Sequence, residues 1–175
     1  MKLSKIMLAL ALAGGVASFA HAADQGHGTV TFKGSIIDAP CSITPDTVDQ
    51  TVDLGEVSNV ALEANSFTGT STPKNFQIKL ENCDVTTLKT VTTTFTGSEG
   101  ATTNHLGITG TASGASIAVT DGSGKEIELG KPTDAHALQA GNNTLMFSAY
   151  LQGDGASAIV PGDFTSIADF TLAYQ

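Results

Sequence analysis

The apolar residues of this chain recur at every second position, in short runs, and hardly anywhere at the spacing of a helix. Val30, Phe32, Gly34 and Ile36 alternate with Thr31, Lys33 and Ser35. Residues 48–54 alternate again up to Gly55, and Phe76-Gln77-Ile78-Lys79-Leu80 alternates cleanly toward Cys83. Successive side chains of a strand point to opposite faces, so this period marks strands with one buried face. Val91 to Phe95, Ser116 to Thr120, Ile127 to Leu129, Thr144 to Gln152 and Phe164 to Tyr174 continue the series. Asp38-Ala39-Pro40, Asp121-Gly122-Ser123-Gly124 and Gly141-Asn142-Asn143 are the turn signals between them. A single turn over Ala61 to Asn65 is the most helix the sequence predicts, and a short strand near Leu106 to Ile108 interrupts the loose stretch from Gly97 to Gly114. Short strands punctuated by turns predict an all-β sandwich. With 24 threonines, the composition agrees with a strand-rich chain.

Residues 1–22 read as a secretory signal rather than as part of the fold. Lys2 and Lys5 precede an apolar run from Ile6 to Val16, and Ala20-His21-Ala22 fits a cleavage site. That run is too short for a membrane span, which needs about 20 residues, and no insertion of the mature chain into a membrane is expected. Two cysteines remain, Cys41 and Cys83. In an exported protein an isolated pair forms a disulfide, here closing a loop of about 42 residues.

Charge and motif content narrow the function classes. The chain has 8 basic residues, all lysine, against 17 acids. Without Lys2 and Lys5, six lysines face the same 17 acids, a net of −11. An acidic chain without arginine does not suit nucleic acid. None of the nucleophile-elbow, phosphate-loop, dinucleotide or zinc-protease signatures occurs, so no enzyme activity and no cofactor are expected. His27, His105 and His136 stand singly in polar segments and read as surface residues, not metal ligands. Glu126 and Glu128 read as a solvated strand face.

The two ends carry the remaining signal. An alternating segment precedes the first cysteine and is cut off at Pro40. At the other end Phe164, Ala168, Phe170, Leu172 and Tyr174 share one strand face, Gly162 lies 14th from the last residue, and Tyr174 is penultimate. With Ala39-Pro40-Cys41-Ser42-Ile43, Val52-Asp53-Leu54-Gly55 and Phe76 to Asp84 in this order, the chain resembles the pilins of the chaperone–usher pathway, in particular the major shaft subunits of type 1 and P-type fimbriae. The resemblance implies an incomplete immunoglobulin-like sandwich of six strands plus an N-terminal donor strand. It implies a signal over 1–22, a donor extension over 23–37 and a pilin domain over 38–175. Val30, Phe32, Gly34 and Ile36 would form the donor face. Gly162, Phe164, Ala168, Phe170, Leu172, Tyr174 and Gln175 would form the acceptor and chaperone-binding strand, with the Gln175 carboxylate as the chaperone's anchor. The implied partners are identical or related pilin subunits, a periplasmic chaperone and an outer-membrane usher. The implied function is a structural subunit polymerising head to tail into a surface fimbria. A minor adaptor or tip pilin, or a single-domain adhesin of the same fimbria, is the alternative.

Overall fold

The computed structural model describes residues 27–155 and 158–175. They divide into two units, one ending at Ile36 and one running from Ile37 to Gln175. The proposed signal over 1–22 and the first residues of the proposed extension lie outside the described residues.

In the N-terminal unit, residues 27–36 form no strand. Val30, Phe32 and Ile36 are 74, 90 and 104% exposed. The strand expected over this segment is therefore not formed within the chain. Alternation prepares a segment for a sheet, but a strand exists only where another strand takes up its N–H and C=O groups.

The second unit contains, in order, β1 (Ser42–Ile43), α1 (Pro45–Val48), α2 (Asn59–Phe67), β2 (Lys74–Cys83), β3 (Thr90–Gly97), β4 (Leu106–Gly107), β5 (Thr109–Gly110), β6 (Ala115–Asp121), β7 (His136–Ala137), β8 (Gly141–Gly153), β9 (Phe164–Thr165) and β10 (Ala168–Tyr174). An antiparallel sheet in the order β1-β2-β8-β6-β4 forms one layer, and β10-β3-β7 the other. A two-stranded pair, β5-β9, flanks them. Strand β8 shows why the sequence folds this way: Asn143, Leu145, Phe147, Ala149, Leu151 and Gly153 are buried, and the residues between them are exposed or half-buried.

Four phenylalanines tie the layers together. Phe76 and Phe147 are register partners in the first sheet, and Phe95 and Phe170 in the second. The Phe95 ring stands edge-to-face with Phe147 at 5.0 Å and with Phe76 at 6.1 Å between centroids. Such edge-to-face contacts add about 0.5–1.5 kcal/mol beyond the area buried. Cys41 and Cys83 form the expected disulfide and are both buried. It joins the approach to β1 with the end of β2, where Asp84 N–H also donates to the Pro40 carbonyl at 2.9 Å.

Several local expectations need correction. Residues 48–54 do not form a strand: Val48 ends α1, and residues 50–58 belong to no strand or helix. Residues 127–129 form no strand: the isolated bridge to Thr120 lies at Glu126, and Ile127 N–H donates to the Val119 carbonyl at 2.9 Å. Helix α2 exceeds the single turn expected, though Ala64, Asn65 and Ser66 depart from helical angles. His105, expected at the surface, is 3% exposed. The loop before β4 meets the outer face of β6 at Ser116, next to Gly100, and on that face Ser116, Ala118 and Thr120 are buried as completely as Ile117 and Val119 on the inner one. His105 Nε2 lies 2.7 Å from Glu126 Oε1.

Candidate functional site: an open-edged apolar groove

A groove of about 1050 Å³ runs along the second unit. Its floor is apolar: Leu62, Leu106, Ile117, Val119, Ala149 and Leu151 line it, and all are buried. These positions come from α2, β4, β6 and β8, so the floor exists only once those elements are side by side. Residues 50–59 form one wall and residues 159–168 the other.

The first wall keeps the alternation of a strand without its ladder. Val52 and Leu54 are half-buried, and Asp53 between them is exposed. Asp53 Oδ1 accepts the N–H of Gly55 at 2.8 Å. Gly55 has φ +74°, the left-handed region that glycine enters without a Cβ clash, and this turns the chain toward α2. Gln50 Nε2 ties the start of the wall to the Gln77 carbonyl on β2 at 3.2 Å.

The second wall hangs from β5. Thr109 faces Thr165 and Gly110 faces Phe164 in register. Ser113 and Val160 exchange N–H···O bonds of 3.2 and 2.9 Å. The Asp163 carbonyl accepts the N–H groups of Thr111 and Ala112 at 2.9 and 3.1 Å, and Thr111 Oγ1 accepts the Asp163 N–H at 3.0 Å. Gly162 sits in this clasp. A Cβ there would come within 2.7 Å of the Ala112 nitrogen, so the close approach requires glycine. Ser166 Oγ donates to the Gly107 carbonyl at 2.8 Å.

Beyond the second wall lies β10, at the end of its sheet and, among the described residues, paired with β3 on one side only. The pairing pattern gives the direction of its free groups. Gln175 and Thr90 exchange N–H···O bonds of 3.0 and 2.9 Å. In an antiparallel ladder hydrogen-bonded pairs alternate with non-bonded ones. With the register of β10 on β3, Ala173, Thr171 and Asp169 therefore bond inward to β3. The N–H and C=O groups of Tyr174, Leu172, Phe170 and Ala168 point to the open edge. On this strand Phe170, Leu172 and Tyr174 are half-buried, while Asp169, Thr171 and Ala173 are exposed. Burial raises the pKa of the Tyr174 hydroxyl, so it stays a neutral donor.

Of the C-terminal residues singled out in the sequence, Gly162, Phe164 and Ala168 line the groove. Phe170, Leu172 and Tyr174 pack against the core and offer their backbone instead of a groove wall. The Gln175 main-chain oxygen accepts the N–H groups of Lys89 and Thr90 at 2.6 and 2.9 Å, so the chain end is tied to the start of β3. Sequence reading missed the floor. Its signal was present in the alternation of β6 and β8, but nothing local says which inward residues border a gap. The charged residues lining the groove are Asp53, Glu56 and Asp163, all acidic and exposed. Among the described residues there is no His/Cys/Asp/Glu group arranged for a metal, and no helix long and apolar enough to cross a membrane.

Unpaired backbone at a sheet edge beside an apolar slot has one evident chemistry: it takes up an extended segment whose alternate side chains fill the slot. Comparison with known proteins agrees with this geometry. The family described as Fimbrial protein matches residues 30–175. The chain is 64% identical over 177 residues to the Fimbria A protein of Serratia marcescens, with 100% of both chains covered. It is 56% identical over 178 residues to the Major MR/P fimbria protein of Proteus mirabilis, again with 100% of both covered. A subunit of a solved chaperone–usher pilus superposes with a TM-score of 0.76 at 35% identity, over 86% of this chain and 97% of that one.

Proposed function

The chain belongs to the fimbrial protein family, and from that premise we propose how its groove is used. The protein is a structural subunit of the shaft of a cell-surface fimbria. Its role is to build, not to catalyse. Subunits join head to tail, the extension over 23–37 of one copy entering the groove of the next.

One observation carries this reading: among the described residues β10 is paired on one side only, and the strand-patterned segment 28–36 forms no strand. Val30 to Ile36 and Ala168 to Tyr174 are both seven residues long, about 20 Å each when extended. Val30, Phe32 and Ile36 would cover the apolar floor. Gly34 suits a point where the layers approach too closely for a side chain. The backbone of the incoming segment would bond to Ala168, Phe170, Leu172 and Tyr174. Each copy donates once and accepts once, a heterologous contact that propagates as a filament. Before assembly the exposed groove is an association hazard. A periplasmic chaperone lending a strand to the same edge meets that need, and an outer-membrane usher is the place for its replacement.

The test is a thermal melt of the chain lacking residues 23–37, with and without a peptide of residues 24–37. A large upward shift on adding the peptide is expected. A cooperative melt that the peptide leaves unmoved would mean a sandwich already complete, and the proposal would be abandoned.

A further inference from the structure

The charges around the groove are one-sided, and the incoming segment carries a single charge of the opposite sign. Among the described residues Asp53, Glu56 and Asp163 line the groove and no basic residue does. Asp169 is exposed on β10, on the strand face opposite Phe170 and Leu172. Asp53 is likewise exposed between the half-buried Val52 and Leu54. Asp53 therefore stands on the solvent side of the first wall, and Asp169 on the solvent side of β10, whose open edge would receive the inserted strand. Between Gln25 and Ile37 the segment has one charged residue, Lys33. If Phe32 and Gly34 face the floor, period two puts Lys33 on the solvent side.

We propose that Lys33 is the charge-matching residue of the subunit contact: it draws the segment into an acid-walled groove and selects that groove over neutral or basic ones. This rests on the strand-donation reading above. Neighbouring strands lie about 4.8 Å apart, so directly opposed and diagonal side chains on one face are about 5–8 Å apart. With Val30 to Ile36 laid along Ala168 to Tyr174, Lys33 falls opposite Thr171 and diagonal to Asp169, about 7–8 Å away. The remaining surface works against association, since two mature subunits of net −11 repel. A local match at the entering segment offsets that repulsion where the strands meet. A lysine at a solvent-facing position also leaves the apolar fit untouched, so partner choice and packing are set by different side chains.

In water-like surroundings one such charge pair changes a rate about threefold. Reversing the charge slows entry about tenfold at low ionic strength. The difference shrinks to under about twofold near 1 M salt, where screening acts within about 3 Å.

The experiment uses the full chain isolated from the periplasm and fluorescent peptides of residues 24–37, measuring uptake rates at about 20 mM and 1 M salt. The wild-type peptide should enter and Phe32→Asp should not. Lys33→Glu should be about tenfold slow at low salt only. A peptide with the charge displaced, Lys33→Gln with Gln25→Lys, keeps the net charge and should be as slow as Lys33→Gln alone. An Asp169→Lys acceptor should recover the Lys33→Glu peptide. Equal rates for wild type and Lys33→Glu at every salt, with Phe32→Asp still excluded, overturn the role of Lys33 alone. The same holds if the displaced lysine works as well as the native one. Failure of the wild-type peptide to enter, or entry of Phe32→Asp, overturns strand donation itself and this proposal with it.

Discussion

Replacing Phe32 with alanine separates assembly from folding more sharply than any other change. The side chain is 90% exposed in the free chain, so truncating it removes almost no burial there. A phenylalanine buries roughly 150–250 Å² when enclosed, and at about 25 cal/mol per Å² that is roughly 4–6 kcal/mol as an upper bound. Allowing for the alanine methyl and for incomplete enclosure leaves about 3 kcal/mol. A loss of that size weakens binding of the 24–37 peptide about a hundredfold. The melting temperature of the free full-length chain should move by less than about 1 °C, since 1 kcal/mol shifts a chain of this size by about 2–4 °C. Titration calorimetry or competition binding on the chain lacking 23–37 reads the first quantity, and a thermal melt of the full chain the second. A change in Kd below about fivefold would refute Phe32 as an anchor in the groove. A substantially lower melting temperature for the free chain would show instead that Phe32 stabilises its own subunit.

Three further outcomes follow from the groove and its frame. Replacing Cys41 and Cys83 with alanine should cost about 4 kcal/mol by the loop-entropy estimate for a 42-residue loop, read as a lower denaturant midpoint. Gly162→Val should push the second wall off Thr111 and Ala112, costing about 1–3 kcal/mol of stability and weakening peptide binding, with Gly162→Ala milder. Because burial raises the Tyr174 pKa above its usual 10.0, the folded chain holds that proton longer than the unfolded one. Its contribution is therefore complete below about pH 10 and declines as pH rises through the folded value. Tyr174→Phe should flatten that part of an alkaline denaturation curve, and an unchanged slope would dismiss Tyr174 as its source.

What this sequence determines by itself is local: the period of its apolar residues, the breaks between strands and the one cysteine pair. Period two needs no partner to be legible, so β2, β3, β6, β8 and β10 were readable as strands within a few residues. The same period misleads at 28–37 and 48–54, where the residues alternate and no strand forms, because hydrogen bonding belongs to two segments and not to one. His105 is buried for a related reason: the loop around it folds back over β6, a contact its polar neighbours do not announce. The ends of the chain announced themselves through their pattern. Their likeness to a known family implies a missing strand. Only the tertiary structure decides where the gap is. The floor draws Leu62, Leu106, Ile117, Val119, Ala149 and Leu151 from four elements far apart in sequence. The open edge follows from the position of β10 at the end of its sheet, since an unpaired row of backbone groups is defined by the strand that is absent beside it.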